Sequence, residues 1–244
     1  MKILAVIPAR YASTRFPGKP LALLAGKPMI QHVWERCRAA EAVDRIIVAT
    51  DHIEILNACH DFGAEAVVTP PELPSGTDRV AFVARSIEEY GGVLNVQGDE
   101  PRIRPETINA VAKLLSSEQV TIATAAAPMH PDEAADPNKV KVALAESGRA
   151  LYFSRAVIPY RRNPASSTPT LYYRHLGLYG YRRATLLELT QLRPSPLEQC
   201  ESLEQLRWLE AGYSIFCAQV PDDSIGVDTP EDLRIAENKL LNQD

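Results

Sequence analysis

A short apolar run, residues 3–7, opens directly into a loop carrying Arg10, Arg15 and Lys19 with no acidic residue among them, and a helix-like pattern follows. The run reads as a buried strand. Three fixed cations and several backbone N–H groups at its end suit a phosphate chain, because both kinds of donor satisfy phosphate oxygens. The loop lacks G-x-G-x-x-G and so is no dinucleotide fingerprint. It is no Walker loop either, since Pro20 follows Gly18-Lys19 where Ser or Thr would hold magnesium. A solvated basic surface loop is the plainer alternative. The position at a strand end, where open α/β sheets place their ligands, favours the phosphate reading.

Further strand-like runs at 45–49, 66–69, 93–96 and 120–124 alternate with helical patterns. Met29, Ile30, Val33, Trp34 and Cys37 share one helical face, as do Ile55, Leu56, Cys59 and Phe62, and then Val80, Val83, Ala84 and Ile87. This alternation predicts an α/β chain with a Rossmann-like, doubly wound, mainly parallel sheet. From about residue 128 the pattern loosens, with turn-rich loops at 128–131 and 163–170 and strands at 140–145 and 175–182 in a mixed sheet. The run 176–181 suits a small sheet extension for self-association. Residues 201–211 read as an amphipathic helix with Leu203, Leu206 and Leu209 inward. Thr229-Pro230-Glu231-Asp232 starts another, with Thr as N-cap and Asp three residues on.

At 244 residues the chain can bury a sizeable core as a single domain. A net charge of -5 argues against bulk nucleic-acid binding, so an anionic substrate must be drawn by a local cluster. No signal-peptide pattern or membrane-length apolar run is present, which points to the cytoplasm and away from membranes. Cys37, Cys59, Cys200 and Cys217 lack paired spacing and read as buried, reduced thiols rather than zinc ligands or a disulfide framework.

Asp99 follows the apolar run 93–96 and so sits at the carboxyl end of a strand. Asp99-Glu100-Pro101 reads equally as a magnesium site, since that ion takes oxygen ligands, or as a turn followed by a helix cap. Asp228, just before the capped helix, is by itself better read as part of that cap. Ser75-Gly76-Thr77-Asp78-Arg79 joins a Pro-rich loop to a helix. Its small residues either cap the helix or let the backbone approach a planar base, with Arg79 binding phosphate or supporting the loop. The remaining histidines (His32, His52, His60 and His130) show no metal spacing, and neither G-x-S-x-G nor a Cys/His pair supports covalent catalysis.

Five segments together resemble the 3-deoxy-D-manno-octulosonate (KDO) cytidylyltransferases: Ile7-Pro8-Ala9-Arg10 through Pro20, Ser75 to Arg79, Asn95-Val96-Gln97-Gly98-Asp99-Glu100-Pro101, Ala150 to Ala156 with Ile158-Pro159, and Val227 to Leu233. The resemblance spans nearly the whole chain. It implies one nucleotidyltransferase domain over 1–244, with a nucleotide-binding half at 1–127 and a sugar-binding, self-associating half at 128–244, in a homodimer. It implies that Pro8, Ala9, Arg10, Ser13 and Lys19 hold the nucleotide, and that Ser75, Gly76, Thr77, Arg79 and Gln97 enclose cytosine. Asp99 and Asp228 would hold magnesium, with Lys19 following charge onto pyrophosphate. Arg15, Arg162, His175, Glu204 and Gln205 would meet the sugar acid. Two positions depart from the family: Leu73 stands where many relatives have His, and Arg102 where they have Leu.

The implied reaction is transfer of CMP from CTP to the anomeric 2-hydroxyl of KDO for lipopolysaccharide synthesis. Alternatives are a cytidylyltransferase for 8-amino-KDO or sialic acid, and a non-catalytic nucleotide sensor. The pair Asp99 and Asp228 argues against the sensor, and the missing glycine fingerprint against hydride transfer.

Overall fold

The computed structural model describes residues 1–12, 16–163, 172–221 and 226–241. β1 (Ile3–Ala9) is buried along its whole length. A 3₁₀ turn at Lys19–Leu21, a hairpin of β2 (Leu23–Leu24) and β3 (Lys27–Pro28), and α1 (Met29–Arg38) follow. The alternation continues through β4 (Arg45–Thr50), α2 (Ile53–Asp61), β5 (Ala66–Val68), α3 (Gly76–Arg85), β6 (Gly92–Asn95), α4 (Pro105–Leu114) and β7 (Ile122–Met129). Then come β8 (Lys141–Leu144), β9 (Ala150–Ser154), β10 (Tyr172–Arg182), α5 (Arg183–Leu189), α6 (Pro196–Glu201), α7 (Gln205–Glu210), β11 (Ile215–Gln219) and α8 (Pro230–Leu241).

The main sheet runs β11-β7-β10-β6-β1-β4-β5, and the β8–β9 hairpin branches from β10. β1 pairs in parallel with β4 and β6, β4 with β5, and β7 with β11. Along this path only β10 is opposed, antiparallel to both β6 and β7. The sheet is therefore mixed and mostly parallel, as the alternation predicts. Chain order reverses at β1, with β4 and β5 on one side and β6 on the other. The carboxyl ends of β1 and β6 thus form the switch-point crevice where such sheets bind ligands.

Helices cover both faces. Ile7, Leu94 and Ala123 pack with Ile30, Cys59, Ile108 and Val111 on one side. Val6, Val93 and Tyr181 pack with Val80, Val83, Leu186 and Trp208 on the other. Each fully buried aliphatic side chain such as Ile7 contributes roughly 1.5–3 kcal/mol, so the strand ends that carry the crevice are firmly held. Among the described residues no helix is long and apolar enough to cross a membrane.

Several expectations are corrected. Residues 176–181 are not an extension: β10 is hydrogen-bonded on both sides, and Tyr179 and Tyr181 are 7% and 0% exposed. Their rings meet Trp208 edge-on inside the core. The branch off the sheet is β8–β9. Residues 201–211 are two helices, because Ser202 closes α6 in the left-handed region at φ 52°. Leu203 and Leu206, both beyond that break, are buried. Residues 128 and 129, expected in a loop, complete β7 by pairing with Tyr173 and Tyr172. All four cysteines are free, but Cys200 is exposed.

Candidate active site

A cleft of about 380 Å³ opens at the switch point. Pro8, Ala9 and Arg10 from the end of β1, Lys19, Ser75 and Gly76 at the start of α3, Gln97, Asp99 and Asp228 all line it. Gly98 makes this convergence possible. A Cβ there would stand 2.8 Å from the Pro8 carbonyl oxygen, so only glycine lets the 97–99 loop approach β1 so closely.

Lys19 sits at the centre of the charge. Its Nζ donates to Asp99 Oδ2 at 2.7 Å, to Asp228 Oδ1 at 3.3 Å and to the Val227 carbonyl at 2.9 Å. Gly18, in the left-handed region at φ 68°, turns the loop so that Lys19 can point inward. Gly18 N donates to the Tyr11 carbonyl at 3.0 Å, closing the loop at its base. Val227 N donates to the Asp99 carbonyl at 2.8 Å, so the two carboxylate-bearing segments are zipped together. The α8 cap is made by Thr229 and Asp232: Thr229 N donates to Asp232 Oδ2 at 2.8 Å, and Asp232 N to Thr229 Oγ1 at 3.2 Å. Asp228 is therefore not the cap, contrary to the reading of its segment alone, and its carboxylate joins Lys19. Among the described residues no cluster of three or more His, Cys, Asp or Glu side chains has the makings of a metal site. Two carboxylates facing one cation nevertheless match magnesium's habit of taking one or two protein carboxylates and completing its octahedron with phosphate oxygens and water.

Both readings of the Ser75–Arg79 segment hold in part. Ser75 Oγ accepts from Asp78 N at 3.0 Å and caps α3, while Gly76 leaves the cleft wall thin beside Pro8 and Gln97. Arg79 is fully buried and is absent from the cleft lining, which corrects its expected nucleotide contact. Its guanidinium pairs with Thr69 Oγ1 and lies 3.2 Å from Asp51 Oδ2. Asp51 Oδ1 in turn accepts from Tyr11 N at 3.0 Å, so Arg79 steadies the loop after β1 from behind. Burial lowers the Arg79 pKa, opposed by Asp51 and reinforced by Arg10. Asp51 escaped the sequence reading because it resembles a cap for α2. Arg10 donates to the Leu73 carbonyl, so position 73 enters the site through its backbone. Arg102 is buried and lies outside the cleft lining.

Among the described residues, the expected sugar contacts Arg162, His175, Glu204 and Gln205 lie outside this cleft lining. Thr77 is buried and turned the same way: Thr77 Oγ1 donates to Glu204 Oε2 at 2.5 Å, tying α3 to α7. Burial raises the Glu204 pKa, partly countered by Thr77 and Ser75. His175 is half-buried, with Nε2 3.0 Å from Thr124 Oγ1 and its ring between Phe153 and Tyr179. Burial, helped by Arg174, lowers its pKa to about 3, so at neutral pH it is a neutral hydrogen-bonding group. Gln205 is buried and Arg162 exposed. Ser13 and Arg15 lie outside the described residues.

The cytidylyltransferase family model matches residues 4–215. The chain is 50% identical over 236 residues to a 3-deoxy-manno-octulosonate cytidylyltransferase of Myxococcus xanthus, covering 97% of this chain and 95% of that one. It is 46% identical over 252 residues to a protein of the same name from Parabacteroides distasonis, covering both chains fully. It also superposes with a TM-score of 0.94, at 40% identity and full coverage of both chains, on a CMP:2-keto-3-deoxy-manno-octonic acid synthetase solved in complex with CTP. A cytidylyltransferase structure from Leptospira borgpetersenii, at 15% identity and a TM-score of 0.61 over 95% of this chain and 83% of that one, shares the fold. With its motifs gathered at one switch-point crevice and this likeness running end to end, the chain belongs to the cytidylyltransferase family, among the 3-deoxy-manno-octulosonate cytidylyltransferases.

Proposed function

We propose that this chain transfers CMP from CTP to the anomeric 2-hydroxyl of KDO and releases pyrophosphate. The observation that carries the reading is the meeting of Arg10, Lys19, Asp99 and Asp228 in one crevice beside the Gln97–Gly76 wall. Phosphoryl-type transfer needs little covalent help from a protein, and positioning with charge neutralisation supplies most of the rate. Arg10 and Ser13 hold the triphosphate. Lys19, already within reach of the cleft, neutralises the charge that grows on the departing pyrophosphate. Asp99 and Asp228 would hold magnesium, which supplies polarisation of the α-phosphate and a lower pKa for the attacking hydroxyl. Gln97 and Gly76 frame the base.

On the acceptor side, Arg15 and Arg162 carry the charges that suit the sugar carboxylate. Glu204 and neutral His175 suit hydroxyls instead, since a carboxylate would repel the sugar's own. The reading includes a homodimer built through the β8–β9 hairpin and the loop after it, where Leu151 and Tyr160 are 51% and 84% exposed. It also places the enzyme in the cytoplasm and in lipopolysaccharide synthesis. The test is pyrophosphate release from CTP and magnesium with KDO, 8-amino-KDO and sialic acid compared side by side. Release with KDO alone is expected. Preference for another acid would replace the acceptor, and CTP binding without any release would favour a sensor.

A further inference from the structure

A polar residue interrupts the apolar strand β6 at its last position. Asn95 is 1% exposed and pairs in the sheet with Val6 on one side and Tyr179 on the other. A buried amide is costly unless its groups are hydrogen-bonded. Asn95 Oδ1 accepts from Gln97 Nε2 at 2.9 Å. Thr77 and the Asn95 side chain face the buried Tyr181 hydroxyl. Gln97 lines the cleft, packed beside Gly76 and beside the β10 bulge at Gly177, whose Cβ position is 3.4 Å from Gln97 Cγ. The Gln97 side chain is thus confined on two sides while its nitrogen is engaged by Asn95.

We propose that Asn95 is a specificity-positioning residue: by engaging Gln97 Nε2 it turns Gln97 Oε1 toward the base, so that the site accepts a hydrogen bond from a 4-amino pyrimidine and opposes a 4-oxo one. Cytosine presents an amino donor at that position, whereas uracil presents an acceptor oxygen. An untethered glutamine amide serves either base by turning over, because it carries a donor and an acceptor at equal reach. Tethering opposes that, because turning the Gln97 amide over would set its oxygen against Asn95 Oδ1. Sites that hydrogen-bond a substrate N–H reject the analogue lacking it far better than apolar pockets discriminate by shape. This inference rests on the reading of Gln97 as a base contact.

The test is the ratio of kcat/KM for CTP to that for UTP, measured on the full-length enzyme with the same acceptor. Asn95→Ala is expected to lower that ratio at least about tenfold, with CTP turnover falling and UTP turnover rising. A merely structural loss lowers both nucleotides together and leaves the ratio unchanged. Asn95→Asp, which retains the acceptor toward Gln97, is expected to keep most of the discrimination. Should Asn95→Ala not fold, Asn95→Ser reads the same ratio, its hydroxyl stopping short of Gln97. An unchanged ratio in the folded alanine or serine variant, with Gln97→Leu collapsing it, overturns the role of Asn95 and leaves Gln97 on the base. An unchanged ratio in Gln97→Leu overturns the base contact and the inference with it.

Discussion

The residues proposed for the nucleotide and those proposed for the acceptor hold their polar groups differently. On the nucleotide side, segments from distant parts of the chain lock into each other: Lys19 joins Asp99, Asp228 and the Val227 carbonyl, and Arg79 reaches the phosphate loop through Asp51. The charged groups are in direct contact with one another along the cleft wall. On the acceptor side, Glu204 is engaged by Thr77, His175 stands against Thr124, and Arg162 is exposed. A charged cluster assembled at a switch point is preorganised by the sheet itself. The acceptor groups are borrowed from contacts that hold helices and strands together, so they act as scaffold and as candidate ligand contacts at once.

The largest expected effect strikes the first arrangement. Asp99→Ala should reduce turnover by on the order of 10³ or more while weakening CTP binding without abolishing it. Pyrophosphate release and calorimetric titration of CTP check the two halves of that statement, and near-normal turnover would remove Asp99 from the metal reading. Lys19→Met comes next, at roughly 10²–10³ in kcat. It also leaves Asp99 and Asp228 facing each other without their shared cation. Its melting temperature should therefore drop, and adding Asp228→Asn should recover part of the drop without recovering rate. Recovery of both would mean that Lys19 matters only as a structural counter-ion.

The acceptor side is sharpened by pH. Burial keeps the His175 imidazole neutral down to about 3, whereas in the unfolded chain it takes a proton near 6.5. Below 6.5 the unfolded state binds a proton that the folded state refuses, so His175 makes stability fall as pH drops through that window. His175→Asn should flatten the decline in melting temperature between about pH 6.5 and pH 4. An unchanged slope would mean that His175 titrates normally and is open to solvent. Glu204 has the opposite sign: its raised pKa costs stability as pH climbs past the ordinary glutamate range.

The same contrast explains which parts were legible from sequence. Asp99 and Lys19 were readable because a strand end plus a charge implies a position in space, and the alternation of strands and helices supplies the strand end. Asn95 left one weak signal, a polar residue inside an apolar run, but its partner Gln97 is fixed by a turn that no spacing rule predicts. Residues 176–181 misled because alternating tyrosines look the same in an edge strand and in β10, whose two neighbours come from 92–95 and 122–129. The 201–211 helix misled because its three leucines all lie beyond the left-handed residue Ser202, so their spacing carries no sign of the break. β11 passed unnoticed, being five residues whose place in the sheet is set by pairing with β7. Tertiary pairing decides such elements.

The smallest expected effect concerns the departure at position 73. The family resemblance implies a His there and so a lost contact, yet Arg10 uses the Leu73 carbonyl. A backbone acceptor is indifferent to the side chain above it so long as the Pro-rich loop keeps its path. Pro70, Pro71 and Pro74 restrict that path on their own, since each fixes its φ near −65°. Leu73→His should therefore leave kcat/KM for CTP within about twofold, well under the tenfold that 1.4 kcal/mol represents. A larger gain would show that an imidazole at this position reaches the nucleotide and that the nucleotide side is less complete than its interlocked geometry implies. A larger loss would show that the leucine side chain holds the loop, so that Arg10 depends on packing as well as on the carbonyl.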